Sequence, residues 1–593
     1  MKADVRRMYA LSLVPPENQE YIPQLYIKSD YPFKKASKPI ERALENFEKA
    51  IKREQLQLSR QRKPIRNLPF SKYQLIKYYK NNDNYIIVQG DKNLGPCILE
   101  REYYIYRGCK EHLANRRNYK QITREGAIAR LIGLDYILRD WIGKYKTRDE
   151  DEGTPPDFTT IGKAEEIYLR RCLSKLRGKL ARFRMTAKVH KIPWKLRPIV
   201  CCAGTTMNGW SKWLDYWLQK LKASVPSYVK DSQQILDEIA ELHLPANALL
   251  FTCDANSMYN NIDTDHAIEV ISWWLIDMDS RDELPHNFPL EAVLDAMKII
   301  MKNNIFEWGD SCFLQLLGTA MGTSAAVMWA TLYYAYHEVH TILPNHGANL
   351  LYYRRFIDDI FGVWTGNKTS DWSALCDDID DFGVLTWDIK EQELSTSVDF
   401  LDLTLTISGG KITSKTFQKK MNLYLYIPPA SAHPASCIKG TIYGLIRRYY
   451  AQNTNYLDCV KMIKLLYRRL LARGWKSDTI RPLVMEACTT IESKIKQSST
   501  TVPPTATCTQ DENRLFIHLV FHQDDISRRR IQQLYQQHCG DLFHRSMGIE
   551  RPTIAYSRPK NIGDMVTKAQ LHQAEGRTST IIMGEHRAEL DSA

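Results

Sequence analysis

Leu350-Leu351-Tyr352-Tyr353-Arg354-Arg355-Phe356-Ile357 runs into Asp358-Asp359 and then into Ile360-Phe361-Gly362-Val363-Trp364. Both flanks are rich in β-branched and aromatic residues and read as strands, so the two acids fall at the turn between them. Adjacent carboxylates at the tip of an apolar hairpin repel each other and are costly to desolvate. A cation offsets that cost, and divalent metal is the usual answer. The dipeptide alone carries little meaning. Asp377-Asp378, Asp380-Asp381 and Asp524-Asp525 read as solvated acids on a helix face or loop.

What sets Asp358-Asp359 apart lies upstream. Leu249-Leu250-Phe251-Thr252-Cys253 is a short apolar run ending on Asp254. An acid at the end of a buried strand can face a neighbouring hairpin turn and bring a third carboxylate there. Three carboxylates from two places in the chain suffice to hold two magnesium ions roughly 3.5–4 Å apart, the clamp of in-line phosphoryl displacement. On spacing alone, Asp254 as the cap of the next helix is the alternative.

Cys253-Asp254-Ala255-Asn256-Ser257-Met258-Tyr259-Asn260-Asn261-Ile262 resembles the first palm motif of a reverse transcriptase. Gly318-Thr319-Ala320-Met321-Gly322-Thr323-Ser324 resembles its Gly-rich second motif, and Phe356-Ile357-Asp358-Asp359 its aromatic-x-Asp-Asp box. Each motif is weak singly; the ordered set is specific. Phe183-Arg184-Met185-Thr186-Ala187-Lys188-Val189-His190-Lys191 with Arg197-Pro198-Ile199-Val200 is similar to the fingers of Penelope-like retroelements. So are Asp91-Lys92-Asn93-Leu94-Gly95-Pro96, Val398-Asp399-Phe400-Leu401-Asp402-Leu403 and Tyr556-Ser557-Arg558-Pro559-Lys560-Asn561-Ile562-Gly563-Asp564. The resemblance spans residues 85 to 570.

The resemblance implies an α+β right-hand polymerase: fingers, a palm of antiparallel sheet plus helices, and a helical thumb. It implies Asp254 and Asp358 as principal metal ligands, joined by the backbone carbonyl of Ala255, with Asp359 as the supporting acid. The cofactor expected is two Mg²⁺ ions, with Mn²⁺ as the substitute. Tyr259 falls where the family keeps an aromatic gate against the 2′-hydroxyl. Lys188 and Arg197 would meet the incoming triphosphate, since both cations make charge-assisted bonds to phosphate. Lys191 and Lys195 would face template phosphates. Gln315, Gly318, Met321 and Gly322 would support the template base and nascent pair, with glycines allowing close backbone approach. Ser324 is a mild departure from the motif. Lys390 is the candidate general acid for pyrophosphate, with a plain surface lysine as the alternative, and Phe400-Leu401-Asp402-Leu403 would be the hairpin gripping the primer end. Ala325-Ala326-Val327-Met328-Trp329-Ala330-Thr331-Leu332-Tyr333 reads as a buried helix with a packing role.

At 593 residues the chain is too long for one core, and about three or four subdomains are expected. A hydrophobic content of 44% with 25% charged residues describes a soluble globular protein. No run of about 18 apolar residues supports a membrane span, and the N-terminus lacks the apolar core of a secretory signal. The net charge of +13 points toward polyanionic partners. Basic and aromatic residues interleave at Arg447-Arg448-Tyr449-Tyr450 and Tyr467-Arg468-Arg469, which suits backbone contact plus stacking. Thirteen scattered cysteines without CxxC pairs read as reduced thiols of the nucleus or cytoplasm.

The expected order along the chain begins with a basic, helical N-terminal extension (1–85) and a segment leading into the fingers (86–170). Fingers and palm (171–410) and a helical thumb (411–496) follow, then a linker (497–510) and a C-terminal extension (511–593). Ile40, Leu44, Phe47 and Ile51 form a packing stripe in the first of these, and residues 146–156 a polar loop. Ile442, Leu445, Ile446 and Tyr449, then Leu465, Leu466, Leu470 and Leu471, mark two thumb helices, with Gly474 as the stop of the second. Nothing after Asp564 resembles the GIY-YIG nuclease that many Penelope-like elements carry. A nuclease-lacking or truncated member is therefore expected, with priming from an existing 3′ end as the alternative to insertion at an encoded nick.

The leading expectation is an RNA-directed DNA polymerase acting on an RNA template, a DNA primer and dNTPs in retrotransposition. A catalytically inactive, domesticated RNA-binding scaffold is the alternative, and the intact Asp254, Asp358, Asp359 and Tyr259 weigh against it. A viral-type RNA-dependent RNA polymerase shares the palm but usually avoids an aromatic gate.

Overall fold

Leu350–Phe356 and Asp359–Trp364 are antiparallel strands in the computed structural model of the chain. The structure describes residues 1–13, 22, 24–25, 27, 33–61, 68–91, 94–147, 160–189, 192–389, 394–419, 422–498, 514–522, 524–567 and 571. Asp359 pairs with Phe356, so the turn consists of Ile357 and Asp358 alone, and Asp359 opens the second strand. Asp359–Trp364 also pairs antiparallel with Leu249–Ala255, which is flanked in turn by Trp387–Asp388. The result is a four-stranded antiparallel sheet.

Alternation along these strands explains why the sheet is buried on both faces, since successive side chains point to opposite sides. Phe251, Cys253, Ile360 and Trp364 enter the core formed with the helices Thr264–Ser280, Leu290–Lys302 and Ala326–His337. Leu250, Phe361 and Val363 enter the opposite core with Phe400, Leu403 and Leu405 of a three-stranded antiparallel sheet, and with Ile235 and Ile239 of helix Ser232–Ala240. Ala326–His337 is the buried helix expected from its small and apolar residues.

A second, five-stranded sheet runs in the order Tyr119–Ile122, Ser311–Gln315, Ile305–Trp308, Ala181–Lys188, Lys195–Cys201. It is antiparallel except where Ala181–Lys188 meets Ile305–Trp308 in parallel. Lys188 and Lys195 end up opposite one another at the end of their hairpin where the chain passes from one strand to the next. The α+β class expected from the sequence is therefore what the chain adopts.

Two expectations need correction. Lys411 does not begin a helical segment: Lys411–Thr416 is a strand paired with Leu403–Ser408, so a boundary there would cut a hairpin. Helices begin at Ser436 and are three: Ser436–Gln452, Tyr456–Ala472 and Ser477–Ser498. Ile442, Ile446, Tyr449, Leu466 and Leu470 share their core, whereas Leu471 is exposed, one position off the stripe. Gly474 has φ +95° just after the second helix, the left-handed stop that glycine permits.

The second correction concerns the chain ends, expected as separate extensions. Ile40, Leu44 and Phe47 on helix Lys38–Gln61 pack against Leu534, Tyr535 and Phe543, in one core shared by residues from both ends. Phe47 and Tyr535 meet edge to face at 6.2 Å. Strands Phe516–Val520 and Thr553–Ser557 pair in parallel within the same unit. Most of the expected loop 146–156 and nearly all of the linker 497–510 lie outside the described residues.

Candidate active site

The register brings Asp254 and Asp359 directly opposite each other on adjacent strands. Asp358 follows in the turn, and its carbonyl accepts a hydrogen bond from the Ala255 amide at 2.8 Å. That bond ties the acid-bearing turn to the strand end of the other acid. Asp254 is exposed at its strand end, while Asp358 and Asp359 are half-buried. Burial, then the charges of Asp358 and Asp254, push the Asp359 carboxyl up to about 7, against the opposing pull of Lys419. The three acids therefore act on one another through space.

Ile357 holds φ +58° in the two-residue turn. Positive φ at the first turn position is where hairpins of this length favour glycine. A β-branched residue there is a backbone outlier costing on the order of 1–3 kcal/mol. Arg355, almost completely buried, donates a hydrogen bond to the Ile357 carbonyl at 2.9 Å.

Among the described residues, no three His, Cys, Asp or Glu side chains close around a point as a ready-made metal cage. The donor set nevertheless fits magnesium, which keeps several waters and is held by one or two carboxylates together with substrate phosphates. Asp254 and Asp358 supply that pair, with Asp359 opposite Asp254; beyond the effect of burial, the charges of Asp358 and Asp254 push the Asp359 carboxyl up, and a divalent ion would relieve that part.

A cleft of about 1160 Å³ opens over the acids, between the two large sheets. It exceeds the roughly 300–1,000 Å³ of ordinary small-molecule sites. Lys188, Lys195, Arg197, Ala255, Tyr259 and Met321 line it with the three aspartates. Arg197 pairs with Asp91 at 3.3 Å, so an anion entering here competes with an internal carboxylate. Tyr259 is half-buried; burial, then the charge of Asp358, push its hydroxyl up to about 12.

Gln315, Gly318 and Gly322, expected to support the base pair, stand behind the cleft rather than on its lining. Gln315 is buried, and its amide donates to the Leu317 carbonyl at 3.2 Å. Gly318 has φ +83°, and a Cβ there would lie 2.6 Å from the Tyr259 carbonyl oxygen. Gly322 has φ +135°, and its Cβ would meet the Val200 carbonyl oxygen at 2.0 Å. The Thr319 amide donates to Tyr259 at 2.6 Å and the Val200 amide to Met321 at 3.1 Å. This segment thus fastens the Tyr259 turn on one side and the Arg197 strand on the other. Lys390 and Lys191 lie outside the described residues.

Sequence reasoning missed Lys419 and Asn118. Lys419 lines the cleft and draws down the Asp359 carboxyl, although it follows the three-stranded sheet far along the chain. Its only sequence signal is the Lys419-Lys420 pair, which nothing linked to the acids. Asn118, just before strand Tyr119–Ile122, is buried and donates through its side-chain amide to the Asn260 carbonyl at 2.9 Å, bracing the Tyr259 turn. Phe400 pairs with Leu403, so Leu401 and Asp402 form the turn of the expected hairpin, where Asp402 accepts from Gln452 at 2.5 Å and is also bound by Ser232 and Arg448.

No protein-family model and no curated protein matches the chain. Among solved structures, it is similar to telomerase from Candida albicans in complex with a TWJ fragment of telomeric RNA. That likeness has 9% identity and a TM-score of 0.46, over 73% of this chain and 70% of the other. Apo telomerase from Candida tropicalis aligns at 9% identity and a TM-score of 0.37, over 70% and 67%. The Sicinivirus 3Dpol RNA-dependent RNA polymerase aligns at 11% identity and a TM-score of 0.35, over 64% and 89%. Likenesses at TM-scores below 0.5 decide neither family nor activity, and the functional reading rests on the site itself.

Proposed function

We propose that the chain is an RNA-directed DNA polymerase that extends a primer 3′-hydroxyl with dNTPs on an RNA template. The observation that carries this reading is Asp254 opposite Asp359, with Asp358 in the turn beside them, under a cleft lined by Lys188, Lys195, Arg197 and Tyr259. Two Mg²⁺ ions, or Mn²⁺ in their place, would supply activation of the attacking hydroxyl and stabilisation of the leaving pyrophosphate. Asp254, Asp358 and Asp359, with the Ala255 carbonyl, are the residues that would hold them. Lys188 and Arg197 bind the triphosphate, Arg197 exchanging Asp91 for phosphate oxygens. Met321 faces the nascent pair. The Tyr259 ring fills the space of a ribose 2′-hydroxyl and so excludes ribonucleotides.

The Penelope-like motifs support a retroelement origin, and with it a role in retrotransposition in the nucleus or cytoplasm. The scaffold alternative has no observation in its favour, since all three acids remain and face one cleft. An RNA-polymerising relative differs in one testable respect, the gate. Incorporation of dTTP against UTP by wild type and Tyr259→Val separates them. Wild type should prefer dTTP, and the variant should lose that preference by about tenfold or more, because the sugar contact is removed. Equal use of both nucleotides by wild type would reject the DNA-polymerase reading.

A further inference from the structure

The turn bearing Asp358 is held in a conformation its own sequence disfavours, so something else must hold it. Ile357 has φ +58° where a two-residue hairpin turn favours glycine. The next residue is Asp358, and the Ile357 carbonyl belongs to the peptide that joins them. Rotating that peptide swings the Asp358 carboxylate, and it also disturbs the Asp358 carbonyl bonded to Ala255.

Arg355 is the group that grips this peptide. Its guanidinium donates to the Ile357 carbonyl and to the Thr331 carbonyl of helix Ala326–His337, each at 2.9 Å. Its Nε and Nη2 donate to the two oxygens of Glu338 at 2.7 and 2.8 Å. Glu338 is completely buried and is fixed further by the hydroxyls of Tyr353, at 3.0 Å, and Ser227. A buried ion pair of this kind contributes little net stability, because desolvation consumes most of the Coulomb gain. Geometry is what it supplies. The planar fork can meet a carboxylate and a carbonyl in fixed directions at once, which an ammonium cannot.

We propose that Arg355, anchored by Glu338, is a positioning residue that keeps Ile357 in the left-handed conformation and so aims Asp358 and Asp359 at the cleft. Its catalytic consequence rests on the polymerase reading; its structural consequence does not. The clamp is indifferent to which nucleotide or template occupies the cleft.

Arg355→Lys is the informative variant, since it retains the charge beside Glu338 and removes the fork. Two readouts apply. In a crystal structure of the variant, Ile357 is expected to leave positive φ and the Asp358 carboxylate to move; a retained φ near +58° would overturn the proposal whatever the protein's activity. In primer extension, kcat should fall and half-saturating magnesium should rise, with a combined loss on the order of 10–100-fold for a displacement of about an ångström. Adding Ile357→Gly to Arg355→Lys should recover a large part of that loss, because glycine takes positive φ without a clamp. Loss without recovery would mean that Arg355 serves packing alone, and would also overturn the proposal. A wild type inactive on every primer, combined with a relaxed turn in the variant structure, would reject the polymerase reading and leave the clamp standing.

Discussion

Asp359 carries the sharpest prediction at the scale of single residues. With no metal bound, its folded carboxyl titrates at about 7, whereas a carboxyl in an unfolded chain titrates near 3.9. Between those values the folded state binds the extra proton, so stability falls as pH rises. Above the folded value the penalty is complete; below the unfolded value it is absent. Thermal unfolding of metal-free protein from pH 4 to 8 should therefore show wild type losing stability relative to Asp359→Asn as pH rises. Parallel curves would mean that Asp359 feels neither its burial nor its neighbours. The sequence disclosed the acids because their types and order are specific. It did not disclose Lys419, Asn118 or Arg355 in their roles, since each acts across a contact that only the folded sheet creates.

Elements show a different balance. Strands around the acids were legible because a strand buried on both faces reads as a short, near-continuous run of apolar, β-branched and aromatic residues. The glycines at 318 and 322 were legible as a motif, whereas the partner of the close approach they allow, backbone behind the cleft, was not. Gly318→Ala places a Cβ against the Tyr259 carbonyl and forces an L residue to φ +83°. Strain and overpacking together should cost about 2–4 kcal/mol in denaturant unfolding. A cost near zero would show that the Tyr259 turn yields freely and is not held from behind. The strand Lys411–Thr416 escaped the reading because its lysines and threonines carry no apolar alternation; its pairing with Leu403–Ser408 defines it.

At the scale of the molecule, the two chain ends form one unit, which no local pattern could announce. The stripe Ile40, Leu44, Phe47 signals burial without naming what covers it, and residues from the opposite end of the chain do so. Phe47→Ala removes the ring that meets Tyr535 and should cost about 3–5 kcal/mol within that unit. Hydrogen exchange should then quicken in helix Lys38–Gln61 and in helix Arg528–Tyr535 together, while strands Leu249–Ala255 and Asp359–Trp364 stay protected. Quickening confined to the N-terminal helix would contradict a shared core.

Every functional statement returns to the acids facing each other across two strands. Their test is primer extension by purified protein on a poly(rA)/oligo(dT) template with magnesium, beside folded Asp358→Ala. Extension by wild type, abolished by chelation and by the substitution, is the result expected of a metal-dependent RNA-directed DNA polymerase. Failure of the folded wild type to extend this and other primers, with manganese as well as magnesium, would contradict it.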